Sequence, residues 1–478
     1  MKKRRPSHTT SRWLALEVLS TWQRLNPPGG PPGPFLDDLL HAALARHADL
    51  SRPDQTLVWE LATGVMRWRR RLDYVIARTS TTPLHRLHPV VLDLLRLTAY
   101  QLLFLDRIPA HAVVAEAVSL ARARRLPPAL VAFVNAVGRQ LAAAAPTIPH
   151  PDPEVEPVAA LAVAAAVPEW LAVRWLTELG PELAWRRAQA VNAVPPLSIR
   201  VNTGLVSRET LSGILLAEGV TTAPCRWSPL GLTILSLPGA PLRLPSYQRG
   251  LWLFQDEAAQ LGTLLLQAAP RQTILEIGAG RGGKTTLVAQ LLRGRGRVLA
   301  VDIHGARLAA LRQQLARLEL PGVALLQADA AQPFLAAPAE GFDRVLLDAP
   351  CSGLGVLRRH PEIKWRRQPE DIPRFAALQT QLLRQAAPLV RPGGLLLYIT
   401  CTTAVEENEG VIRQFLADRP DFALVPAAGQ PPSPARDFLD AQGFFRTSAE
   451  DQNMDGFFGA ALQRRPAGNR GRASALQV

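Results

Sequence analysis

Apolar residues recur at three- and four-residue spacing through the first third of the chain. The pattern is plain in Trp13-Leu14-Leu16-Val18-Leu19, in Val90-Val91-Leu94-Leu95-Leu97 and in Val113-Val114-Ala117-Val118. That period marks one face of an amphipathic helix, so residues 1–145 are predicted to be all-helical. From Thr273 the pattern changes. Short apolar runs now alternate with helical ones: TILEI (273–277), VLAVD (298–302), ALLQA (324–328), RVLLD (344–348) and GLLLYIT (394–400), with helices near 284–292, 306–318, 372–389 and 406–416. Alternation of this kind predicts a doubly wound, mostly parallel α/β sheet. A last strand is expected in DGFFGAAL (455–462). Between the two regions, the Pro-rich, acidic stretch 146–160 reads as a linker. LSIRVN (197–202), a helix at 208–218 and strands near 232–237 predict a small α+β module over 161–255. The α/β domain would then cover 256–465. A basic Gly/Ala/Ser-rich tail, 466–478, is expected to be disordered.

Composition narrows the function classes. A chain of 478 residues is too long for one core, so two or three domains are expected. Three cysteines (Cys225, Cys351, Cys401) exclude a disulfide framework and fit a reducing cytoplasm. There is no Cys-x-x-Cys pair and there are only nine His, so no metal site is expected. The start, MKKRRPSHTTS, has no apolar stretch behind its basic residues and does not read as a signal peptide. No apolar run is long enough to span a bilayer, and the Ala-rich stretch at 158–167 is broken by Pro168 and Glu169. A membrane partner is therefore not expected. Nothing in the sequence demands an oligomer, so a monomer is expected.

The net charge is +14, with a pI near 10.8, which favours a polyanionic partner. Residues 1–145 hold 20 Lys/Arg against 10 Asp/Glu and so carry most of that excess. Within them Arg67, Arg69, Arg70 and Arg71 flank Trp68. Guanidinium forks beside an aromatic ring suit phosphate contact and base stacking. This segment alone would also suit a non-catalytic RNA-binding or antitermination module.

The candidate chemistry lies at strand ends, where open α/β sheets place their sites. The strand 344–348 ends on Asp348, and a Pro350-Cys351-Ser352-Gly353 turn comes next. The strand 394–400 ends at Thr400, with Cys401 immediately after. After the first strand of the sheet comes Gly278-Ala279-Gly280-Arg281-Gly282-Gly283-Lys284-Thr285. This loop fits a dinucleotide motif, a P-loop and the first motif of an S-adenosylmethionine fold at once. As a P-loop, with Asp348 holding magnesium, it would mark an NTPase acting on RNA. Two acids beyond the loop favour a nucleoside-type cofactor instead. Asp302 ends the second strand, 19 residues after Gly283, where a carboxylate accepts hydrogen bonds from ribose hydroxyls. Asp329 ends the third strand region, in reach of an adenine edge. Neither hydride transfer nor triphosphate hydrolysis has use for two strand-end cysteines. Cytosine methylation does. A thiolate adding at C6 of the ring makes C5 nucleophilic, a carboxyl beside N3 stabilises the charge, and a base removes the C5 proton before the thiol leaves.

The residues also carry a resemblance. RWLALEVLSTW, ELATGVMRWRRRLD, VLDLLRLTAYQLLFLDRIPAHAVVAEAVSLA and FVNAVGRQL resemble a NusB-type RNA-binding domain. Gly138 stands where that family has an aliphatic residue, so the last helix is expected to end early. DAPCSGLGVLRRHPEIKW and YITCTTAVEENE resemble the RNA 5-methylcytosine methyltransferases of the RsmB (Sun/Fmu) family, with LSIRVN and FQDEAAQL also fitting. The resemblance implies three parts: an all-α NusB-like domain, a small α+β module, and a Rossmann-like class I methyltransferase domain. It implies S-adenosylmethionine as cofactor and 16S rRNA as substrate. It makes Cys401 the nucleophile, Cys351 the residue needed for product release and Asp348 the contact to the target base. Gly278, Ala279, Gly280, Arg281, Gly282, Gly283, Lys284, Asp302, Asp329 and Asp348 would line the cofactor. Glu276 and the Gly278–Arg281 loop depart from the family's usual Asp and Cys-Ala-Ala-Pro. Beyond the resemblance, the basic loop Arg358-Arg359-His360 with Lys364, Arg366 and Arg367 reads as a phosphate grip around a flipped base, alongside Arg67, Arg69 and Arg70.

Overall fold

The computed structural model describes residues 10–27, 33–237, 239–336, 340–430 and 432–466. All but the first residue of the tail expected to be disordered lies outside them. The chain forms two compact units. One comprises Met1–Ala193 with Leu357–Pro369, the other Val194–Val356 with Glu370–Val478.

The first unit is helical, as the 3.6-residue period predicts. Its helices include Ser11–Leu25, Leu36–Arg46, Arg52–Thr79, Pro89–Phe104, Ala110–Ala123 and Pro128–Ala144. Ser51 caps the long helix by accepting from the Asp54 N–H, which satisfies one of the orphan donors of the first turn. Leu14, Leu19, Trp22, Leu61, Val65, Leu94, Leu97 and Val134 share one buried core. Gly64 is needed where it stands, because a Cβ there would fall 2.1 Å from the Tyr100 ring. The expected early end at Gly138 does not occur. Its helix runs on to Ala144, since a glycine in a packed interior costs only about 1 kcal/mol and Val114 lies against it. Two more helical segments, Pro157–Ala164 and Glu169–Ala190, the second broken by a kink at Gly180 (φ 74°) just before Pro181, extend this unit to Ala193. The first of them begins inside the stretch expected to be linker. No single helix among the described residues is long and apolar enough to cross a membrane.

The second unit holds two sheets. The smaller has β1 (Leu197–Val201), β2 (Thr221–Pro224), β3 (Gly231–Ser236) and β4 (Trp252–Phe254) in the antiparallel order β2-β3-β1-β4. The helix Arg208–Ala217 covers it through Leu211 and Leu215. The larger sheet has β5 (Thr273–Ile277), β6 (Arg297–Asp302), β7 (Val323–Gln327), β8 (Phe342–Asp348), β9 (Val390–Thr400), β10 (Phe422–Leu424), β11 (Phe445–Arg446) and β12 (Phe458–Arg464). Its order is β10-β12-β9-β8-β5-β6-β7, with β11 on β12. Strands β5 to β9 are parallel, while β12 runs antiparallel to β9. Apolar residues cover both faces of this sheet, which explains why its strands read as continuous hydrophobic runs rather than alternating ones. The sheet brings the carboxyl ends of β5, β6, β8 and β9 to one edge, and the candidate chemistry is there.

Candidate active site

Strands β8 and β9 are neighbours, with Asp348 in register with Ile399. Their carboxyl ends therefore deliver Cys351 and Cys401 to the same place. The two sulfurs lie 3.4 Å apart, and both residues are half-buried. The turns that carry them are laced together. Ala349 N–H donates to the Ile399 carbonyl at 2.9 Å, and Gly355 N–H to the Cys401 carbonyl at 3.0 Å. A side chain at Gly355 would collide with the Gly456 carbonyl at 1.9 Å, so this close approach depends on glycine. The Cys351 thiol is pushed well above its ordinary range, first by the hydrogen bond to the Cys401 sulfur and then by burial.

Lys284 reaches the same place from the first turn of the helix Gly283–Leu292, and its Nζ lies 2.7 Å from Asp348 Oδ2. Burial opposes the charge on Lys284. The Asp348 carboxylate outweighs it, with Cys401 and Glu276 adding to the effect, and raises the ammonium's pKa. The Phe457 ring lies 5.4 Å from the same ammonium.

The glycine loop between β5 and this helix adopts left-handed backbone at Gly278 (φ 82°), Gly280 (φ 56°) and Gly282 (φ 92°). A Cβ on Gly278 would come within 2.2 Å of the Asp348 carbonyl, so Gly278 is what lets the loop lie against β8. Asp302 closes the loop from β6. Its Oδ2 accepts from Gly280 N–H and its Oδ1 from His304 N–H, each at 2.8 Å. Asp329, beyond β7, is exposed and accepts from Ala331 N–H. Ala279 is buried, whereas Arg281 stands exposed on the loop. Glu276, one residue before the end of β5, is fully buried with no hydrogen-bond partner for either carboxyl oxygen. Desolvation pushes its pKa up to about 8.

Sequence reasoning missed several residues. Arg200 on β1 is completely buried, and burial lowers its pKa to about 9. Its guanidinium donates to the Gly283 carbonyl at 2.9 Å, to Thr286 Oγ1 at 2.7 Å and to Gln255 Oε1. It thus fastens the small sheet to the start of the glycine-loop helix. Glu407, Asn408 and Gln379 bond the turns behind the two cysteines. A charged residue inside the apolar run LSIRVN was the available signal for Arg200. The EENE run looks like a solvated helix start and gave none.

The predicted RNA-contact residues belong to the first unit and are engaged within it. Arg358 and Lys364 are buried, at 1% and 0% exposure, so they do not form a phosphate-facing surface. Lys364 Nζ donates to the carbonyls of Arg67, Ala165 and Ala166 and to Asn192 Oδ1, at 2.8–3.4 Å. Arg67 donates to the Arg358 carbonyl at 2.9 Å, Arg70 pairs with Glu169, and Arg69 lies over the Trp365 ring. Trp68 stacks on Phe104 instead of standing free for a base. His360 lies 3.6 Å from the Asp37 carboxylate and Arg359 is half-buried. The segment 357–369 is thereby built into the first unit. Arg and Lys in a short basic run cannot be assigned to solvent or to core from sequence, since both give the same string.

Comparison with known proteins matches the chain in three stretches. The 16S rRNA methyltransferase RsmB/F family matches residues 263–463, the NusB family matches 9–143, and the RsmF/B-like ferredoxin-like domain matches 167–238. The chain is 36% identical over 435 residues to the ribosomal RNA small subunit methyltransferase B of Pseudomonas putida, covering 88% of this chain and 94% of that protein. It is also 36% identical to the protein of the same name from Sodalis glossinidius, over 83% of this chain and 90% of that one. The crystal structure of PH0851 superposes with a TM-score of 0.78 at 27% identity, over 96% of this chain and all (100%) of that one.

Proposed function

The chain belongs to the 16S rRNA methyltransferase RsmB/F family, and on that premise we propose that it methylates C5 of a cytosine in 16S ribosomal RNA through a covalent adduct between Cys401 and C6 of the base. The observation that carries the reading is the pair of sulfurs 3.4 Å apart beside Asp348 and Lys284.

The family's cofactor is S-adenosylmethionine, and the residues at the carboxyl edge fit it. The left-handed glycines open the backbone, Asp302 offers a carboxylate at the strand end, and the partnerless oxygens of Glu276 lie just behind the loop. Gly278 to Lys284, Asp302 and Asp329 would hold it. Bound there, S-adenosylmethionine supplies an electrophilic methyl group on a sulfonium. The triphosphate reading is set aside because the family matched over residues 263–463 is one of methyltransferases.

On this reading the Cys401 thiolate forms a bond to C6 of the cytosine, and the ring's electron density moves to C5 as an enamine. The proton given up by the thiol goes to N3 as charge builds there, the Asp348 carboxylate accepts a hydrogen bond from the N3–H so formed, and Lys284 fixes the orientation of that carboxylate. After C5 is methylated its proton is removed and the C6–sulfur bond breaks, returning Cys401. Cys351, whose sulfur is in contact with that of the nucleophile, is placed to act in that release. Incubation of the protein with labelled S-adenosylmethionine and unmodified 16S rRNA, followed by nucleoside analysis, tests the proposal. The expected product is 5-methylcytidine, absent with Cys401→Ala. Label in any other nucleoside would refute it.

A further inference from the structure

Glu407 is fully buried, yet the reaction just described does not use it. It lies in the π-helical turn Glu406–Gly410, a geometry that recurs at functional sites. Its carboxylate bonds both cysteine turns. Oε2 accepts from the backbone N–H of Ser352, next to Cys351, at 2.8 Å. Oε1 accepts from Thr402 Oγ1, next to Cys401, at 3.2 Å. Ser352 Oγ and Thr402 Oγ1 complete the link at 2.7 Å. Gln379 Nε2 donates both to Glu407 Oε2 and to the Pro350 carbonyl, each at 2.9 Å. Tyr398 OH holds the Glu407 carbonyl at 2.6 Å. The neighbouring Asn408 bonds Thr400 Oγ1 and the Thr402 carbonyl, and so brackets Cys401 from both sides.

A lone buried carboxylate is costly unless several donors face it, and here three do. A core needing only volume would be served by an apolar residue. We propose that Glu407 is a positioning residue for the thiol pair, bracing the turn of Cys351 against the turn of Cys401 and so setting the separation of the two sulfurs. This rests on the reading that Cys351 and Cys401 act together. The brace suits that chemistry, since one sulfur must reach C6 while the other stays close enough to serve in its release. An error of about 1 Å in such placement costs about 10²-fold in rate.

The test is Glu407→Gln in the full-length protein. The amide keeps the volume but replaces one of the two acceptor oxygens by a donor, so either the bonds from Ser352 and Gln379 or the one from the Thr402 hydroxyl is lost or must reverse. Two readouts are taken. One is kcat for methyl transfer beside the KM for RNA and the Kd for S-adenosylmethionine. The other is stoichiometric capture of phenylarsine oxide, which condenses with two neighbouring thiols to a dithioarsinite with loss of water. The expected result is a kcat lowered by about 10²-fold, unchanged Kd and KM, and lost or slowed arsenical capture. Partial recovery is expected in Glu407→Asp. Wild-type kcat and wild-type capture in Glu407→Gln would overturn the inference. If Glu407→Gln fails to bind S-adenosylmethionine, Thr402→Val, which removes one strut, decides by the same two readouts. Full methyl transfer by Cys401→Ala would instead sink the underlying reading, whatever Glu407→Gln does.

Discussion

Glu276 occupies the centre of the large sheet as an acid whose oxygens find no partner. Its pKa is raised to about 8 from an unfolded value near 4.5, chiefly by desolvation. Below about pH 4.5 both states are protonated and its contribution to stability is intact. As pH rises toward 8 the unfolded state ionises first, so stability is lost across that window. Glu276→Gln, which cannot ionise, should therefore gain in melting temperature over wild type as pH goes from 5 to 8. Equal shifts for both proteins would show that Glu276 is ionised throughout. At this scale Asp348, Cys351 and Cys401 were legible in the sequence, because ending an apolar strand places a side chain at the reactive edge. Glu407 and Gln379 were not, because their role comes from partners about 28 to 55 residues away that only the fold brings near.

Among the elements, the glycine loop is the one most dependent on others. Arg200 and Gln255 both bond the Gly283 carbonyl, at 2.9 and 3.1 Å. Arg200→Met removes the guanidinium's bonds to Gly283 and Thr286 while keeping a long side chain. It should weaken S-adenosylmethionine binding by about tenfold, read by calorimetry, since a lost buried hydrogen-bond set of this kind is worth about 1.4 kcal/mol or more. Gly278→Ala should be more severe and abolish binding, as its Cβ has no room beside Asp348. Unchanged affinity in both variants would separate the loop from the cofactor. Strands β5 to β9 and β12 were legible to within a few residues because burial on both faces leaves continuous apolar runs, whereas β10 and β11 are too short to leave one. The π-helical turn at 406–410 was read as ordinary helix, since one extra residue per turn leaves little trace in periodicity.

For the whole molecule, the net charge of +14 predicts an affinity for RNA that falls steeply with salt. Lys364 does not belong to that surface. It is enclosed by four oxygens, and burial pushes its ammonium well below its ordinary pKa. Lys364→Met should leave the slope of log affinity against log salt unchanged while lowering stability to urea by about 3 kcal/mol. A reduced slope would return Lys364 to the RNA contacts. The domain succession was visible in the sequence because the change from a 3.6-residue period to short apolar runs spans whole domains. The assignment of segment 357–369 to the first unit was not, because nothing in a basic loop says which core will receive it.

The covalent adduct is the centre of this account, and Cys351→Ala is the variant that would hold it. The protein carrying that change is incubated with S-adenosylmethionine and unmodified 16S rRNA, then run on a denaturing gel. A protein–RNA band resistant to denaturant, and lost when Cys401→Ala is added, is the predicted result. Methyl transfer by Cys351→Ala at the wild-type rate with no such band would contradict the division of labour between the two thiols.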